Sequence, residues 1–591
     1  MAKKVMLGNE AIARGAYEGG VKVGSAYPGT PSTETFEYLV QYKDSLYCEW
    51  APNEKVALEV AIGAAFTGAR SIVAMKHVGL NVAADPLMTV SYTGIKGGLV
   101  IVVADDPGMH SSQNEQDTRH YARLAKIPII EPANAAEAKE FTKLAFELSE
   151  KFDTPVILRS TTRVSHSKGV VKLGERKESN IKIKFEKNPP KFVPIPLYGR
   201  KMHVKVEERY RKLQDYASDC IFNRVEETER KDIGIIACGV AYEYAKVVFS
   251  EYSILKLSLS FPFPDKLLKD FCSKYEKIFV IEELEPFIEE HIKSLGFSSV
   301  HGKDLLPICG ELNPNLLMKA KATLIGTSYD IPQPKDFSLP PRPPVLCPGC
   351  PHRSTFYALK KFKPVVTGDI GCYSLAVFPP LETMDTIVCM GAGISAAHGM
   401  DKAGEPDKVV GVIGDSTFFH SGITGLLDIA YNKGKSTIVI LDNRITAMTG
   451  HQDHPGTGKT LMGEKTKEVS IAEMAKACGV DYVREVDPLN FEELNKVLKE
   501  AIEYDGSSVV VAKSPCALLF KHDYSKYYKI DSEKCKRCGA CLRIGCPAIE
   551  KVEDKTGKFK YTVRINSFLC NSCGLCQSLC KFDAISFVKE E

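Results

Sequence analysis

Val409-Val-Gly-Val-Ile-Gly-Asp415-Ser416 reads as a buried strand that ends in a Gly-Asp turn. Ser436-Thr-Ile-Val-Ile-Leu-Asp442-Asn443 is a second run of the same kind. Thr424-Gly-Leu-Leu-Asp-Ile-Ala430 between them has helical character, so the stretch forms a strand–helix–strand unit with parallel strands. Such strands end side by side, at the edge where open α/β sheets bind ligands. Asp415 and Asn443, 28 positions apart, are therefore expected to converge. A carboxylate and an amide oxygen there suit Mg²⁺, which takes oxygen ligands and shares its shell with phosphates. As ordinary strand-end turn residues, the two would converge without binding anything.

Outward from this unit the chain divides into six stretches. Residues 1–165 alternate apolar runs (Ser71–Met75, Gly98–Val103, Pro155–Leu158) with helical segments, an α/β pattern with a largely parallel sheet. Residues 166–230, rich in Lys and Glu, read as a surface connector with some helix. A second α/β unit covers 231–330, with strands at Ile233–Gly239 and Lys277–Glu282. A Pro-rich linker, 331–344, precedes the third α/β unit, 345–522. A cysteine-rich tail, 525–591, follows.

The tail holds eight of the 19 cysteines. Cys535-Lys-Arg-Cys538-Gly-Ala-Cys541-Leu-Arg-Ile-Gly-Cys546-Pro547 is followed, 35 residues on, by Cys570-Asn-Ser-Cys573-Gly-Leu-Cys576-Gln-Ser-Leu-Cys580-Lys581. Each half is C-x2-C-x2-C plus a more distant cysteine, the pattern of two-cluster ferredoxins, in which the remote cysteine ligates the other cluster. Cys535, Cys538, Cys541 and Cys580 are thus assigned to one [4Fe-4S] cluster, and Cys546, Cys570, Cys573 and Cys576 to a second. The spacing before Cys546 is one residue longer than usual, and Lys581 stands where proline is common. All-thiolate zinc is the competing ligand.

Length and composition fit this division. The 591 residues allow several domains, and 77 basic against 74 acidic residues leave a net charge of +3, which argues against nucleic acid or an anionic membrane as the main partner. No window approaches a membrane span, and Met1–Glu10 has no apolar leader core, so a cytoplasmic protein with reduced thiols is expected.

The Gly-Asp…Asn pattern resembles the diphosphate motif of thiamine diphosphate enzymes, with Ser416 in place of the usual third-position glycine. The resemblance makes Asp415, Asn443 and the Ile445 carbonyl, after Gly414, the holders of Mg²⁺ on the cofactor. Gly391-Ala-Gly393 is a spacing that lets a helix start approach phosphates, or simply packs. Such enzymes also need a carboxylate at the cofactor pyrimidine, from a separate α/β domain. Asn53-Glu54, followed by a helix of small residues, resembles that element and points to Glu54 ahead of Glu49 and Glu59.

Thiamine motifs fused to a two-cluster tail resemble the 2-oxoacid:ferredoxin oxidoreductases. Ala26-Tyr27-Pro28-Gly29-Thr30-Pro31-Ser32 is similar to that family's substrate loop and points to Thr30. The domain order, Cys347-Pro-Gly-Cys350-Pro-His-Arg353 and Leu441–Gln452 resemble the indolepyruvate:ferredoxin oxidoreductase alpha-subunit family. The resemblance implies two thiamine diphosphate-binding parallel-sheet domains, a transketolase-C-like domain and an α+β ferredoxin domain. It also implies oxidation of aryl pyruvates with coenzyme A to aryl-acetyl-CoA, CO₂ and reduced ferredoxin, in a hetero-oligomer with a smaller beta subunit. A pyruvate or 2-oxoglutarate enzyme, or a non-oxidative decarboxylase with structural clusters, is the alternative. Cys347, Cys350, Cys372 and Cys516 resemble positions that hold a further cluster beside the thiamine in some relatives; as buried thiols they would pack as small hydrophobes. His77, His110 and His120 fall near loop ends and are left without a role.

Overall fold

The computed structural model describes residues 2–332, 339, 343–554 and 559–590, so most of the expected 331–344 linker lies outside the described residues. The chain divides into two units, Met1–Phe337 and Ser338–Glu591.

The first unit opens on a parallel sheet of β1 (Val23–Ala26), β2 (Tyr47–Trp50), β3 (Ser71–Lys76), β4 (Leu99–Asp105), β5 (Ile129–Ile130) and β6 (Val156–Thr161). In space the order is β5, β6, β4, β3, β1, β2, and the short strand Leu259–Phe261 adds antiparallel outside β5 as a seventh. Every residue of β4 and β6 is buried, as expected of parallel strands covered on both faces. Helix α1 (Glu54–Thr67) follows β2; the Asn53 side chain caps it by accepting from the Val56 N–H at 2.9 Å, and Gly68 ends it at φ +99°. Helix α2 (His77–Val82) starts directly after β3.

Within 166–230 the chain forms both strand and helix. Lys168–Lys172 pairs antiparallel with Lys3–Leu7, and α3 (Pro196–Asp219) runs 24 residues, burying Met202, Val206, Leu213 and Ala217. Beyond it, β7 (Ile233–Cys238), β8 (Ser253–Leu257) and β9 (Lys277–Ile281) form a parallel core with Val300–His301 beside β9 and Arg224–Glu226 antiparallel to β8. The two sheets of this unit share one apolar core, in which Val103 and Ile157 join Ile236 and Leu257. Buried Arg119 ties them further, lying 2.5 Å from both Asp117 and Glu282.

The second unit carries β10 (Val365–Gly368), β11 (Val409–Gly414), β12 (Thr437–Asp442), β13 (Tyr482–Val486) and β14 (Ser508–Lys513), all parallel, in the order β10, β11, β12, β14, β13, with Thr386–Ile387 outside β10. Helix α4 (His352–Phe362) precedes β10, and α5 (Ala392–Ala403) precedes β11. After β11 the chain coils at Asp415–Thr417, takes a π-helical turn at Phe418–Gly422 and continues as α6 (Ile423–Tyr431). A π turn inserted into a helix is a frequent mark of a functional site. The tail adds two antiparallel pairs, β15 (Lys526–Ile530) with β18 (Ile585–Lys589) and β16 (Ile549–Val552) with β17 (Thr562–Ile565). Its Ile544, Leu575 and Ile585 enter the same core as Leu346, Phe356 and Leu359. Arg353 on α4 donates from Nη1 to the carbonyls of Ile544 at 3.1 Å and Gly545 at 2.5 Å, fixing the tail to the α/β part.

Candidate functional site

The carboxyl ends of β1, β2, β3 and β4 are adjacent, so the segments that follow them share one edge of the first sheet. The loop after β1 carries Thr30, α1 begins at Glu54, β3 ends at Lys76, and β4 leads into Asp106. Glu54 is 5% exposed. Glu49 is engaged by Ser25 and Tyr47, at 2.9 and 2.7 Å. Glu59 lies on the surface, paired with Lys55. Thr30 is half-buried, and its carbonyl accepts from Ser111 Oγ at 3.1 Å. Gly79, on α2, lies against the Glu54 carboxylate: a Cβ there would stand 2.5 Å from Oε1. Gly79→Ala is therefore expected to displace Glu54 and to cut the rate of any reaction that uses this carboxylate by about 10²-fold, since a misplacement near 1 Å has that effect on a reacting group. Initial-rate assays on the purified variant check this.

At the edge of the second sheet, Asp415, Asn443 and Ile445 meet, all less than 9% exposed. One position of the Asn443 carboxamide lies 2.7 Å from the Ile445 carbonyl and 3.2 Å from Asp415 Oδ2. With nitrogen there, the amide donates to both. With oxygen there, three acceptors face one another, an arrangement that a cation between them stabilises. The amide nitrogen then turns to His352 Nε2, 3.5 Å away. Burial pushes His352 down to about 4, so its ring is neutral and can accept that bond. The donor set thus fits Mg²⁺ on a diphosphate. Burial works to raise Asp415, yet His454 at 3.1 Å and the Ser416 N–H at 2.8 Å hold its carboxyl below the ordinary range. Asp442 is pushed up to about 6 by burial and by neighbouring Asp415. A Cβ on Gly414 would stand 2.7 Å from the Tyr373 ring, so glycine is required where the strand turns.

Gly391 and Gly393 lie at the start of α5. Their N–H groups donate to buried Asp369 Oδ2, at 2.7 and 3.2 Å, so this helix start is already occupied by a carboxylate of the chain. Asp369 is raised to about 7 by burial, against the pull of those bonds. A Cβ on Gly393 would lie 2.9 Å from the carbonyls of Gly368 and Val412, which explains the glycine by packing.

In the tail, Cys535, Cys538, Cys541 and Cys580 line one cavity, and Cys546, Cys570, Cys573 and Cys576 line another, which Cys350 and Arg353 also reach. Each remote cysteine has crossed to the other half of the repeat. Cys538 is exposed, whereas Cys570 and Cys576 are buried. Among the described residues, no three His, Cys, Asp or Glu side chains are close enough to share one metal ion. Cys347, Cys350, Cys372 and Cys516 are also neighbours. Burial raises Cys350 to about 12, helped by Cys347 and Cys372. Burial raises Cys372 to about 11, helped by Cys516 and Cys347. Cys516 is raised by burial and by Cys347 and Asp415.

Residues 369–512 match the C-terminal TPP-binding domain of thiamine pyrophosphate enzymes. Residues 14–217 match the thiamine diphosphate-binding domain of pyruvate flavodoxin/ferredoxin oxidoreductases, and residues 518–584 a 4Fe-4S dicluster domain. The chain is 42% identical to the indolepyruvate oxidoreductase subunit IorA of Archaeoglobus fulgidus, over 99% of this chain and 98% of the relative. It is 43% identical to the subunit of the same name from Pyrococcus horikoshii, over 100% and 97%, and 41% identical to that of Methanothermobacter marburgensis, over 98% and 96%. The chain belongs to the IorA family. As an IorA-family chain it is a thiamine diphosphate-dependent 2-oxoacid:ferredoxin oxidoreductase subunit with iron–sulfur centres. A subunit implies a partner chain, and a dicluster domain implies electron transfer. No helix among the described residues is long and apolar enough to cross a membrane.

The histidines divide in a way the sequence does not disclose. His110 faces Glu311 at 3.3 Å, and His120 packs edge-on against Phe287. His77 is buried, with Nε2 at 3.2 Å from the Asn114 carbonyl. His352 and His454, by contrast, touch Asn443 and Asp415. The only sequence signal for His352 is its place two residues after Cys350.

Proposed function

We propose that this chain is the thiamine- and cluster-bearing subunit of an enzyme that oxidises aryl pyruvates with coenzyme A to aryl-acetyl-CoA and CO₂. Two electrons per turnover pass to ferredoxin, and a smaller beta subunit completes the assembly. The carrying observation is the convergence of the buried Asp415 carboxylate, the Asn443 carboxamide and the Ile445 carbonyl at one sheet edge, where the amide oxygen can turn to a cation. The aryl preference rests on the names of relatives aligned over nearly the whole chain. Thiamine diphosphate, when bound, supplies the carbon nucleophile that a 2-oxo acid needs to lose CO₂. Asp415, Asn443 and the Ile445 carbonyl would hold Mg²⁺ on its diphosphate. Glu54, buried at the edge of the first sheet, would be the carboxylate that holds a proton at the cofactor's pyrimidine nitrogen. Thr30 would position the substrate.

Eight tail cysteines would hold two [4Fe-4S] clusters, and Cys347, Cys350, Cys372 and Cys516 a third. The third is favoured by the nearness of these four cysteines to one another. Anoxically purified protein should then carry about twelve irons per chain, and Cys372→Ser about eight. About eight irons in the unaltered protein would remove the third cluster. The overall reading is tested by product analysis with phenylpyruvate and coenzyme A: phenylacetyl-CoA and CO₂ in equal amounts, with two electrons delivered per CO₂. Release of phenylacetaldehyde without electrons would instead identify a decarboxylase.

A further inference from the structure

Lys76 ends β3 between the Thr30 loop and Glu54, and the described residues offer its ammonium no ion pair. Its Nζ donates to the Ser111 carbonyl at 2.7 Å and lies 3.5 Å from Ser111 Oγ. Both partners are neutral, and a lysine ammonium has three protons to give. The nearest acids are Asp106 and Glu54. Asp106 is already taken: Oδ2 accepts from the Ser111 N–H at 2.8 Å and Ser112 Oγ at 2.6 Å, and Oδ1 accepts from Thr162 Oγ1 at 2.6 Å. Glu54 has its own task in the function proposed above. Burial also lowers Lys76 to about 8, so at neutral pH the charge is still present.

The surroundings hold this side chain in place. A Cβ on Gly29 would stand 3.4 Å from Lys76 Cβ, so the Thr30 loop packs on its stem. Ser111, the acceptor of its proton, also donates to the Thr30 carbonyl at 3.1 Å, tying the 108–112 segment to that loop. A half-buried ammonium that forms no direct ion pair, beside an Asp106 carboxylate whose oxygens are already engaged by neutral donors, keeps protons to give to an anionic ligand at the carboxyl edge of a parallel sheet. The ligand class that the proposed reaction brings to this edge is a 2-oxo acid, with one carboxylate next to its reacting carbon.

We propose that Lys76 binds the carboxylate of the 2-oxo acid substrate. The inference rests on the 2-oxo acid reading given above. Because the carboxylate loses its charge as CO₂ leaves, an ammonium paired with it favours binding over the chemical step. KM should therefore depend on Lys76 more than kcat does.

The test uses the complete enzyme with its partner subunit. Lys76→Met should raise KM for phenylpyruvate about 10- to 100-fold, the loss expected for one charge-assisted bond, with kcat held or slightly raised. Binding of phenyllactate, measured calorimetrically, should weaken by a similar factor, while the affinities for thiamine diphosphate and coenzyme A stay as in the unaltered enzyme. Lys76→Arg should restore most of the phenylpyruvate and phenyllactate binding, which a merely structural role would not predict. An unchanged KM and phenyllactate affinity in Lys76→Met overturns the inference. So does a rise in the KM for coenzyme A alone, which would mark a phosphate site, or loss of thiamine diphosphate, which would mark a structural residue. Failure of the unaltered enzyme to oxidise any 2-oxo acid would sink the parent reading instead.

Discussion

Glu54→Ala lowers 2-oxo acid oxidation by about 10³-fold or more while the iron content stays that of the unaltered protein. The expectation follows from position. Glu54 begins α1, 5% exposed, at the sheet edge where the Thr30 loop and Lys76 also end. As nothing but a first-turn carboxylate facing the helix dipole it would contribute about 0.3–1 kcal/mol of stability, too little to touch turnover. Those two roles are separated by measuring the melting temperature and the rate together. A small shift in melting with a near-complete loss of rate marks a catalytic group. Glu54→Gln, which keeps the shape and loses the charge, should be nearly as inactive. A rate within threefold of the unaltered enzyme would remove Glu54 from the chemistry.

Asp415→Ala loses thiamine diphosphate and its metal together, with affinity falling by more than about 100-fold. Of the three groups that meet at this site, the Asp415 carboxylate, the Asn443 carboxamide and the Ile445 carbonyl, only the carboxylate carries formal charge, so its removal would leave two neutral oxygens to hold a doubly charged ion. The change also strips His454 and Asp442 of the group that sets their environment. Asn443→Ala should weaken binding less, because an amide oxygen and not a charge is lost. Equilibrium dialysis with thiamine diphosphate at fixed Mg²⁺ reads both effects, and the ultraviolet–visible spectrum of the tail checks that the clusters survive. Retention of both ligands by Asp415→Ala would refute the assignment.

Much of this site is legible in the sequence for a simple reason. Val409–Gly414 and Thr437–Asp442 are unbroken apolar runs, as strands buried on both faces must be. Once they are paired in parallel, the meeting of Asp415 and Asn443 follows from geometry. The cysteine spacing is similarly explicit, because three thiolates around one cluster must come from one tight turn. Other parts depend on partners remote in the chain. Asp369, which takes the N–H groups of Gly391 and Gly393, lies over 20 residues away, and no local pattern predicts that bond. The strand Leu259–Phe261 is too short to signal that it joins the first sheet. Some helix is expected in 166–230, but the 24-residue extent of α3 is obscured by charge, although Met202, Val206, Leu213 and Ala217 recur on one helical face. Lys76 looks like any lysine after a strand until Asp106 is seen to be occupied.

The most direct test of the central claim is reduction of viologen under anoxic conditions with coenzyme A and a panel of 2-oxo acids, with and without the beta partner. The account predicts thiamine-dependent reduction that requires the partner and is fastest with indolepyruvate or phenylpyruvate. Preference for pyruvate or 2-oxoglutarate would contradict the substrate assignment, and reduction independent of any 2-oxo acid would contradict the account as a whole.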